Sequence, residues 1–381
     1  MEQLYKRKEA CCGCGACADV CREGAIRMTV DREGFRYPRR TEEGCIHCER
    51  CVQVCPVKNR RVERGVSRRY FGVRAKEEKL RSSSSSGGMF PVLAEFVLER
   101  QGVVYGAAYG RGMQVTHQEI SRREDLAAIQ RTKYVQSSLK GIYRSIERRL
   151  RQERWVLFCG TPCQVQGLLL YLNREEPRLL LVNLVCYGVP SPGIWRDYVK
   201  WLEQKYDGKM TDFSFRDKRK HDHGHTCSYV IEGKEYAYSL YEDLYCSMYF
   251  SNLILRPSCH TCRFCTVERN GDFTIGDFWG IEKVKPEMDD GMGTSMVILH
   301  TEKAREIWEE VKKDLFWFAC EEKDVLQPRL SGPTEVSGNR RIFMLFYRKL
   351  PFSIFQMLYR AAAIVRALFG RIHRKTTGGA V

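Results

Sequence analysis

The order of apolar and polar positions predicts alternating strands and helices from residue 70 onward. YFGVRA and VVYGAAY predict strands, and apolar residues three or four positions apart indicate a helix between them. The stretch at residues 57–69 is mostly charged and predicts a linker to an N-terminal segment. The apolar positions of the first helix are Phe90, Leu93, Ala94, Val97 and Leu98.

The most regular pattern lies in the middle of the chain. Continuous apolar runs at Trp155–Cys159 and Leu179–Cys186 predict two buried strands. The segments that follow them, Cys163–Asn173 and Pro192–Tyr206, predict helices. Buried strands joined through helices are typical of a parallel sheet, which binds ligands at the carboxyl ends of its strands. The cysteines at these ends are Cys159, Cys163 and Cys186.

Two copies of one cysteine pattern stand near the N-terminus. CCGCGACADVC and CIHCERCVQVC both contain the spacing C-x2-C-x2-C-x3-C, which wraps a 4Fe-4S cluster and sends its fourth cysteine to the other cluster of a pair. Zinc also uses CxxC pairs, but it needs neither the extra CxxC step nor the proline that follows the second copy. The prediction is two 4Fe-4S clusters, one on Cys11, Cys14, Cys17 and Cys55 and one on Cys45, Cys48, Cys51 and Cys21.

Two residues of this segment depart from or exceed the pattern. Arg22 stands where a proline would complete the first copy, and Cys12 is interpreted as a spare thiol outside the ligand sets.

Composition limits the class of protein. The chain has 381 residues and 18 cysteines, a number that could suggest a disulfide-rich secreted protein. Cluster ligands must be reduced thiolates, so the expected compartment is the cytoplasm. The N-terminus lacks the apolar core of a secretory signal, and no uncharged apolar run reaches the roughly 18 residues of a membrane span.

Positive charge concentrates towards the C-terminus. The net charge is +16, and no acidic residue follows Glu335. No nucleic-acid-binding motif accompanies this charge, so nucleic acid is not an expected partner. The basic residues after Glu335 are Arg340, Arg341, Arg348, Lys349, Arg360, Arg366, Arg371, Arg374 and Lys375.

The segment Ile354–Phe369 predicts an amphipathic helix with arginines on its polar half. One interpretation is a helix docked on the core with its arginines in water. The other is a basic helix that makes peripheral contact with an anionic membrane or anchors an acidic partner. The apolar half comprises Ile354, Phe355, Met357, Leu358, Ile364, Val365, Leu368 and Phe369.

A serine and glycine run precedes the helix at Phe90. Ser85, Ser86, Gly87 and Gly88 would supply hydroxyls and free backbone N–H groups at the positive end of the helix dipole, which suits a phosphate or pyrophosphate. A flexible serine-rich linker has the same composition, so both interpretations stay open.

A third group of cysteines lies in RPSCHTCRFC. Cys259, Cys262 and Cys265 resemble a metal-binding loop that lacks a nearby fourth ligand, which Cys163 or Cys186 could supply. Cys163 is either a plain core cysteine or a thiolate stabilised at a helix start. Zinc, an iron-sulfur cluster and a metal-free structural knuckle all fit this loop.

The motifs occur in an order that resembles one family. After the two-cluster segment come SSSGGMF, KYVQS, GTPCQV, CYGVPSP, FRDK, RPSCHTC and GDFTIGDFWG. Together they resemble the family of coenzyme F-420 hydrogenase/dehydrogenase beta subunits. The resemblance implies that the larger domain binds FAD and that the clusters exchange electrons with it. It also implies a two-electron partner at the flavin, which is the deazaflavin coenzyme F-420 in the archaeal members.

The resemblance implies site residues as well, with three departures. Tyr187 replaces the usual histidine of the Cys-His-Gly-Val-Pro-Ser motif, Cys265 is an extra thiol, and FRDK lacks the Gly-Trp that often follows it. The residues expected beside FAD are Ser85, Ser86, Gly87, Gly88, Lys133, Tyr134, Gln136 and Ser137. Those that could hold a third 4Fe-4S cluster are Cys163, Cys186, Cys259 and Cys262.

The predicted fold class is α+β/α/β. A ferredoxin-like dicluster domain at residues 1–62 precedes a mixed-sheet α/β flavin domain and a C-terminal helical tail. The flavin domain comprises the N-terminal region typical of the beta subunits at residues 68–150 and their C-terminal region at residues 151–320. The tail occupies residues 321–381.

The expected function is an iron-sulfur flavoprotein oxidoreductase. It would pass electrons between ferredoxin or a partner subunit, the clusters, FAD and a two-electron small-molecule acceptor, because a flavin converts between one-electron and two-electron carriers. The alternative is a non-catalytic electron-transfer subunit of a larger redox complex. A thiol-redox protein using Cys159 and Cys163 is less favoured because the pair is spaced CxxxC.

Overall fold

The computed structural model describes residues 2–59, 67–219, 222 and 224–362. The strands are β1 (Glu2–Gln3), β2 (Ile26–Val30), β3 (Arg36–Arg40), β4 (Arg69–Ala75), β5 (Val103–Tyr109), β6 (Val115–Ile120), β7 (Val156–Gly160), β8 (Leu179–Leu184), β9 (Met210–Asp217), β10 (Thr226–Ile231), β11 (Lys234–Ser239), β12 (Phe273–Asp277), β13 (Ser295–Leu299) and β14 (Leu315–Cys320).

The helices are α1 (Ala16–Val20), α2 (Arg50–Gln53), α3 (Glu78–Ser82), α4 (Met89–Glu99), α5 (Leu126–Ile129), α6 (Ile142–Arg151), α7 (Pro162–Leu172), α8 (Pro192–Lys205), α9 (Leu244–Phe250), α10 (Ile281–Val284), α11 (Glu302–Val311), α12 (Glu322–Val325), α13 (Pro328–Ser331) and α14 (Arg340–Lys349). Another helix occupies residues 352–362.

One eight-stranded sheet forms the centre of the molecule, in the order β14-β4-β13-β12-β8-β7-β5-β6. Its middle strands β5, β7, β8 and β12 are parallel, and the strands outside them pair antiparallel. The two buried strands predicted from the apolar runs are present as β7 and β8, and the helices after them as α7 and α8. The predicted boundary at residue 150 falls within this sheet, because β5 and β6 precede it and β7 follows it.

Helices cover both faces of the large sheet. On one face, α4 and α11 pack through residues such as Leu93 and Trp308. On the other face, α6 and α7 pack through Ile146 and Leu168, and the same core includes Ala16 from α1. Burial on both faces explains the uninterrupted apolar sequence of the parallel strands.

A second core lies between α8 and a three-stranded antiparallel sheet in the order β11-β10-β9. Trp195 of α8 is buried there and donates from its indole nitrogen to the carbonyl oxygen of Met113 at 2.7 Å. This sheet brings the FRDK stretch at the end of β9 towards the carboxyl ends of the central strands.

The N-terminal segment forms its own antiparallel sheet, in the order β1-β3-β2, and docks on the large domain. The buried carboxylate of Asp19 accepts from the backbone N–H groups of Gly141 at 2.9 Å and Tyr143 at 3.2 Å, at the start of α6. Elsewhere, Arg340 forms an ion pair with Glu33 at 2.7 Å. The cysteine loops are therefore held at fixed positions against the central sheet.

The C-terminal part of the described chain docks through a single apolar face. Phe355 is buried against Phe343, with ring centroids 5.0 Å apart, but Ile354, Met357 and Leu358 are exposed. The residues of the predicted apolar half therefore do not all face the core: Phe355 is buried, and the other three are exposed to solvent. The predicted tail residues from Ile364 to Phe369, and the arginines beyond residue 362, lie outside the described residues.

Within the described ranges, no helix is both long enough and apolar enough to cross a bilayer.

Candidate functional site

Six N-terminal cysteines line a cavity of about 40 Å³, and four of them form the first predicted ligand set. Cys11, Cys14 and Cys17 come from the first copy of the pattern, and Cys55 comes from the second. The structure thus brings together the first predicted ligand set, including the cysteine that crosses over. Cys51, which the spacing assigns to the other set, also lines this cavity.

The second predicted set lies nearer the surface. Cys48 is exposed on a loop where Ile46 is 67% exposed, and Cys45 precedes both on the same loop. Cys51 lies within electrostatic range of Cys48 and of Cys21, the other crossover cysteine. This part of the dicluster segment is therefore the more exposed of the two.

Burial opposes ionisation of the inner thiols. It raises the pKa of Cys11 and of Cys17 above that of an ordinary thiol. A buried thiol of this kind gives up its proton when a metal takes the proton's place, because ligation requires the thiolate. The donor set therefore suits a metal that binds thiolates, such as the iron of a 4Fe-4S cluster.

Two buried arginines support an anionic group at the cysteines, Arg256 beside Cys11 and Arg269 beside the third group of cysteines. Arg256 is fully buried, and Arg269 is 7% exposed. Neither has a carboxylate within ion-pairing distance in the described part of the chain. The charges that favour protonated Arg269 are those of Cys265, Cys186 and Cys262, while burial lowers its pKa to about 10. Since an isolated buried charge is expensive, the arginines fit thiolates that hold a cluster.

The third group of cysteines lines one cavity of about 470 Å³. Its location is the carboxyl end of β7 and β8, where the sequence predicts a ligand site. Thr161 caps α7, and its hydroxyl lies 3.2 Å from the Sγ of Cys163. The Sγ of Cys259 accepts from the backbone N–H of Val189 at 3.4 Å. The cysteines of this cavity are Cys12, Cys163, Cys186, Cys259, Cys262 and Cys265.

Two of these six thiols lie outside the predicted third set. Cys265 contacts Cys262, and this hydrogen bond is the largest influence that lowers the pKa of Cys262 to about 7. Cys12 contacts both Cys14 and Cys163. The sequence could not indicate this position, because Cys12 and Cys163 meet only in the folded chain. The interpretation of Cys12 as a spare thiol outside the ligand sets stays a prediction.

A cavity of about 330 Å³ lies next to the third group of cysteines. Six of the seven stretches that follow the dicluster segment line it; RPSCHTC is the exception and lines the cavity of the third group. The expected flavin residues that line it are Ser85, Ser86, Gly88, Lys133, Tyr134 and Ser137. We call this space the flavin cavity, after the cofactor that the family resemblance leads us to expect there.

The serine-glycine run is a hydrogen-bonded loop at the start of α4. The hydroxyl of Ser85 accepts from the backbone N–H of Thr132 at 2.7 Å, and the hydroxyl of Ser86 donates to the carbonyl oxygen of Thr294 at 3.0 Å. The backbone N–H of Gly87 donates to the Oγ of Ser295 at 2.8 Å. The expectation of a free N–H at Gly87 is therefore corrected: β13 already supplies its acceptor.

Lys133 and Gln136 also differ from the simple expectation. The ammonium of Lys133 donates to three backbone carbonyls, among them that of Ala128 at 3.2 Å, and burial lowers its pKa to about 7. Gln136 does not line the flavin cavity. Its amide nitrogen donates to the carbonyl oxygen of Cys12 at 2.9 Å, so it contacts the dicluster segment.

Polar residues of the cavity that sequence reasoning missed include His117. Its Nε2 lies 3.0 Å from the carbonyl oxygen of Cys159, which can only accept, so Nε2 carries the proton and Nδ1 is an acceptor. Nδ1 is buried and has no partner among the described residues, and the same is true of the amide nitrogen of Gln130. Orphaned polar atoms beside apolar walls fit a heteroaromatic ring with its own donors and acceptors.

Arg216 and Asp277 form an ion pair in the wall of this cavity. Arg216 belongs to FRDK and Asp277 to GDFTIGDFWG, so the pair joins the end of β9 to the end of β12. No local sequence signal links residues 61 positions apart.

The three cavities form a continuous series. The cavity at Cys11 and the third group's cavity share Ala10, Cys12 and Pro56. The third group's cavity and the flavin cavity also share wall residues, among them Thr161 and Tyr187. The structure therefore arranges the candidate sites in one order.

Comparison with known families agrees with the sequence motifs. Residues 153–323 match the family described as the C terminus of the coenzyme F420 hydrogenase/dehydrogenase beta subunit, and residues 10–59 match the 4Fe-4S dicluster domain. The resemblance to this family of beta subunits is thereby confirmed. The N-terminal segment is a 4Fe-4S dicluster domain, which supports iron-sulfur clusters in this chain.

Individual relatives match parts of the chain. The F subunit of F(420)H(2) dehydrogenase from Methanosarcina mazei is 24% identical over 191 residues, which are 47% of this chain and 53% of the relative. An uncharacterized ferredoxin of Methanocaldococcus jannaschii is 41% identical over 54 residues, 14% of this chain and 69% of that protein. The chain thus spans about half the length of the dehydrogenase relative and most of the ferredoxin.

A solved structure of the F420-reducing NiFe hydrogenase complex from Methanosarcina barkeri contains a similar chain. The two are 19% identical with a TM-score of 0.45, and the match covers 72% of this chain and 87% of the other.

Proposed function

We propose that this chain is an iron-sulfur flavoprotein that carries electrons between a redox protein and a two-electron acceptor. The redox protein is ferredoxin or a partner subunit. The acceptor is a small molecule of the coenzyme F-420 type or another two-electron substrate. The chain acts as the electron-transfer subunit of an oxidoreductase similar to coenzyme F420 hydrogenase/dehydrogenase.

The observation that carries this proposal is the series of three adjoining cavities. The exposed loop at Cys48 provides the entry, followed by the set at Cys11, the third group and the flavin cavity. In this proposal the third group binds a further 4Fe-4S cluster through Cys163, Cys186, Cys259 and Cys262. Because neighbouring cavities share wall residues, the distance between the cofactors proposed for adjacent cavities is short at each electron-transfer step.

FAD is proposed for the cavity beside Ser86 and Gly88. When bound, a flavin supplies the conversion between one-electron and two-electron transfer. The chain's own contribution is orientation: His117 offers an acceptor inside the cavity, and Asp277 holds Arg216 in the cavity wall. The proposed dicluster, flavin-binding and tail regions are residues 1–62, 68–150 with 151–320, and 321–381.

Anaerobic reconstitution with iron, sulfide and FAD tests the proposal. The full chain should retain at least two 4Fe-4S clusters and one flavin, and reduced coenzyme F-420 or another two-electron donor should bleach both. A chain that holds fewer than about six irons after reconstitution contradicts the dicluster prediction, since two clusters contain about eight.

The second candidate is a non-catalytic electron-transfer subunit without flavin. The observation that favours it is that the Gly87 N–H and the Lys133 ammonium already have protein partners, so fewer donors remain for a pyrophosphate. The same reconstituted protein separates the two candidates, because clusters without bound flavin would support this one.

A further inference from the structure

Arg256 occupies the junction between the dicluster segment and the large domain. It is fully buried, and its guanidinium makes contacts to both sides. Nε donates to the carbonyl oxygen of Cys11 at 2.8 Å, and one terminal nitrogen donates to the Oε1 of Gln136 at 3.0 Å. The other terminal nitrogen lies 3.1 Å from the carbonyl oxygen of Arg36 and 3.5 Å from the Sγ of Cys11.

The surroundings of Arg256 contain no carboxylate partner among the residues that the structure describes. The ionisable groups that act on it most strongly are Cys11, Tyr37, Cys12 and Cys259. The ring of Tyr37 lies 4.1 Å from the guanidinium carbon, a cation–π contact. A buried guanidinium remains charged, so the negative charge that balances it must come from the thiolates.

The cysteine loop is shaped around this side chain. Gly13 has a φ of +71°, and a Cβ built on it would lie 2.7 Å from a guanidinium nitrogen of Arg256 and 2.7 Å from the amide nitrogen of Gln136. Any other residue at position 13 would displace the guanidinium from the Sγ of Cys11. The contact between charge and ligand is therefore part of the loop's construction.

We propose that Arg256 raises the reduction potential of the cluster held by Cys11, Cys14, Cys17 and Cys55. Reduction adds one electron to this cluster and moves no proton, so the reduced state carries one more negative charge. A buried positive charge with an N–H directed at a ligand sulfur stabilises that extra charge, since it is poorly screened there. Arg256 is a positioning residue that acts through Cys11. The inference rests on the proposed function, because it requires the inner cluster.

Redox titration followed by electron paramagnetic resonance tests the inference on the reconstituted full chain. Arg256→Gln should lower the ratio of reduced to oxidised inner cluster at a fixed potential by about tenfold, or about 59 mV for a one-electron couple. Arg256→Lys keeps the charge and should shift the ratio by less than half of that on a logarithmic scale. The shifted signal should persist when Cys48→Ser removes the outer cluster.

Arg32→Gln is the matched control, because it removes the same charge from an exposed position in the same domain, outside the cysteine motifs. It should leave the inner cluster unchanged. Unaltered potentials in Arg256→Gln would overturn the inference. If Arg256→Gln fails to retain iron, Arg256→Lys decides. A lysine variant that keeps all its iron and has a reduction potential near that of the unmodified chain supports a requirement for charge. A lysine variant that loses iron contradicts it. Absence of clusters from the unmodified chain would instead reject the proposed function.

Discussion

Cys48 is the exposed thiol among the eight predicted ligands of the two N-terminal clusters. Its substitution can therefore remove a ligand without opening a cavity in the core. We expect Cys48→Ser to lose one cluster, about four irons per chain, while the inner cluster keeps its spectrum. Iron analysis and electron paramagnetic resonance measure both. Cys320→Ser on β14 is the control, and loss of both clusters in Cys48→Ser alone would contradict independent sites.

His117 makes stability depend on pH. Burial lowers its pKa from about 6.5 to about 4. The unfolded chain therefore takes up a proton near pH 6.5 that the folded chain takes up only near pH 4. Between pH 7 and pH 5.5 the free energy of unfolding should fall by about 1 kcal/mol through this residue.

His117→Phe removes the contribution of His117 to the pH dependence of stability and leaves the contributions of other titratable groups in place. The pKa of His300 is lowered to about 3 by burial, so His300 acts with the same sign and remains in the variant. Anaerobic urea unfolding at pH 7 and pH 5.5 should give a smaller decline for His117→Phe than for the unmodified chain. Equal declines would mean that His117 is not kept neutral.

Gly88 tests the flavin cavity at a single position. It has a φ of +93°, and a Cβ there would lie 2.9 Å from the Cβ of Ala75, so any substitution introduces strain. Gly88→Ala measures that strain, and Gly88→Asp adds a carboxylate beside the expected pyrophosphate. We expect the Asp variant to bind at least tenfold less FAD than the Ala variant in a flavin titration. Equal affinities would place the phosphates elsewhere.

At the residue scale, the sequence predicts cluster ligands because their spacing along the chain is short and regular. It misses contacts between residues that are distant in the sequence. Eight cysteines follow a pattern that one cluster geometry imposes on short loops. By contrast, three features depend on how the chain packs: the contact of Cys12 with Cys163, the contact of Arg256 with Cys11, and the unpartnered nitrogen of His117. Such contacts leave no regular spacing in the sequence from which they could be predicted.

At the scale of elements, α6 begins where the dicluster segment supplies its cap. Gly141 precedes the helix without a side-chain cap of its own, and Asp19 accepts its N–H and that of Tyr143. An N-cap of this kind contributes about 1 kcal/mol. The same contact therefore stabilises α6 and fastens the cluster loop.

We expect Asp19→Ala to loosen that attachment. Hydrogen exchange should speed up several-fold at the first turn of α6 and in α1, with a loss of about 1–2 kcal/mol in local stability. Asp125→Ala is the control, because Asp125 also precedes a helix but its half-buried side chain makes no cap. Unchanged exchange in α6 would show that the cap contributes nothing to docking.

The predicted elements succeed where periodicity is strong. The strands β7 and β8 and the helices α4, α7 and α8 follow from uninterrupted apolar runs or helical spacing. The antiparallel pairing of β4 with β13 and β14 escapes such patterns, because it joins segments more than two hundred residues apart. The helix α3 is also missed, since its short polar sequence has no periodic apolar face.

At the scale of the whole molecule, the C-terminal helices present two faces. Phe343, Met344 and Phe355 pack on the second core, and the hydroxyl of Tyr347 donates to Asp197 at 2.8 Å. Up to residue 362, where the described chain ends, the helices are docked through this face. The outward face nevertheless carries large apolar side chains with exposures from 45% to 65%: Ile342, Leu345, Phe346, Ile354, Met357 and Leu358.

An exposed apolar face beside basic residues could bind an anionic membrane surface. Screening weakens exposed charge attraction beyond roughly 10 Å at 0.1 M salt but barely affects buried apolar packing. Deleting residues 352–381 should therefore reduce solubility through the loss of Phe355, and should also reduce salt-sensitive flotation with anionic vesicles. Ile354→Ser with Met357→Ser keeps the docked face and should reduce flotation alone. Lost solubility in the deletion without any change in vesicle binding would leave a docked helix and reject the membrane contact.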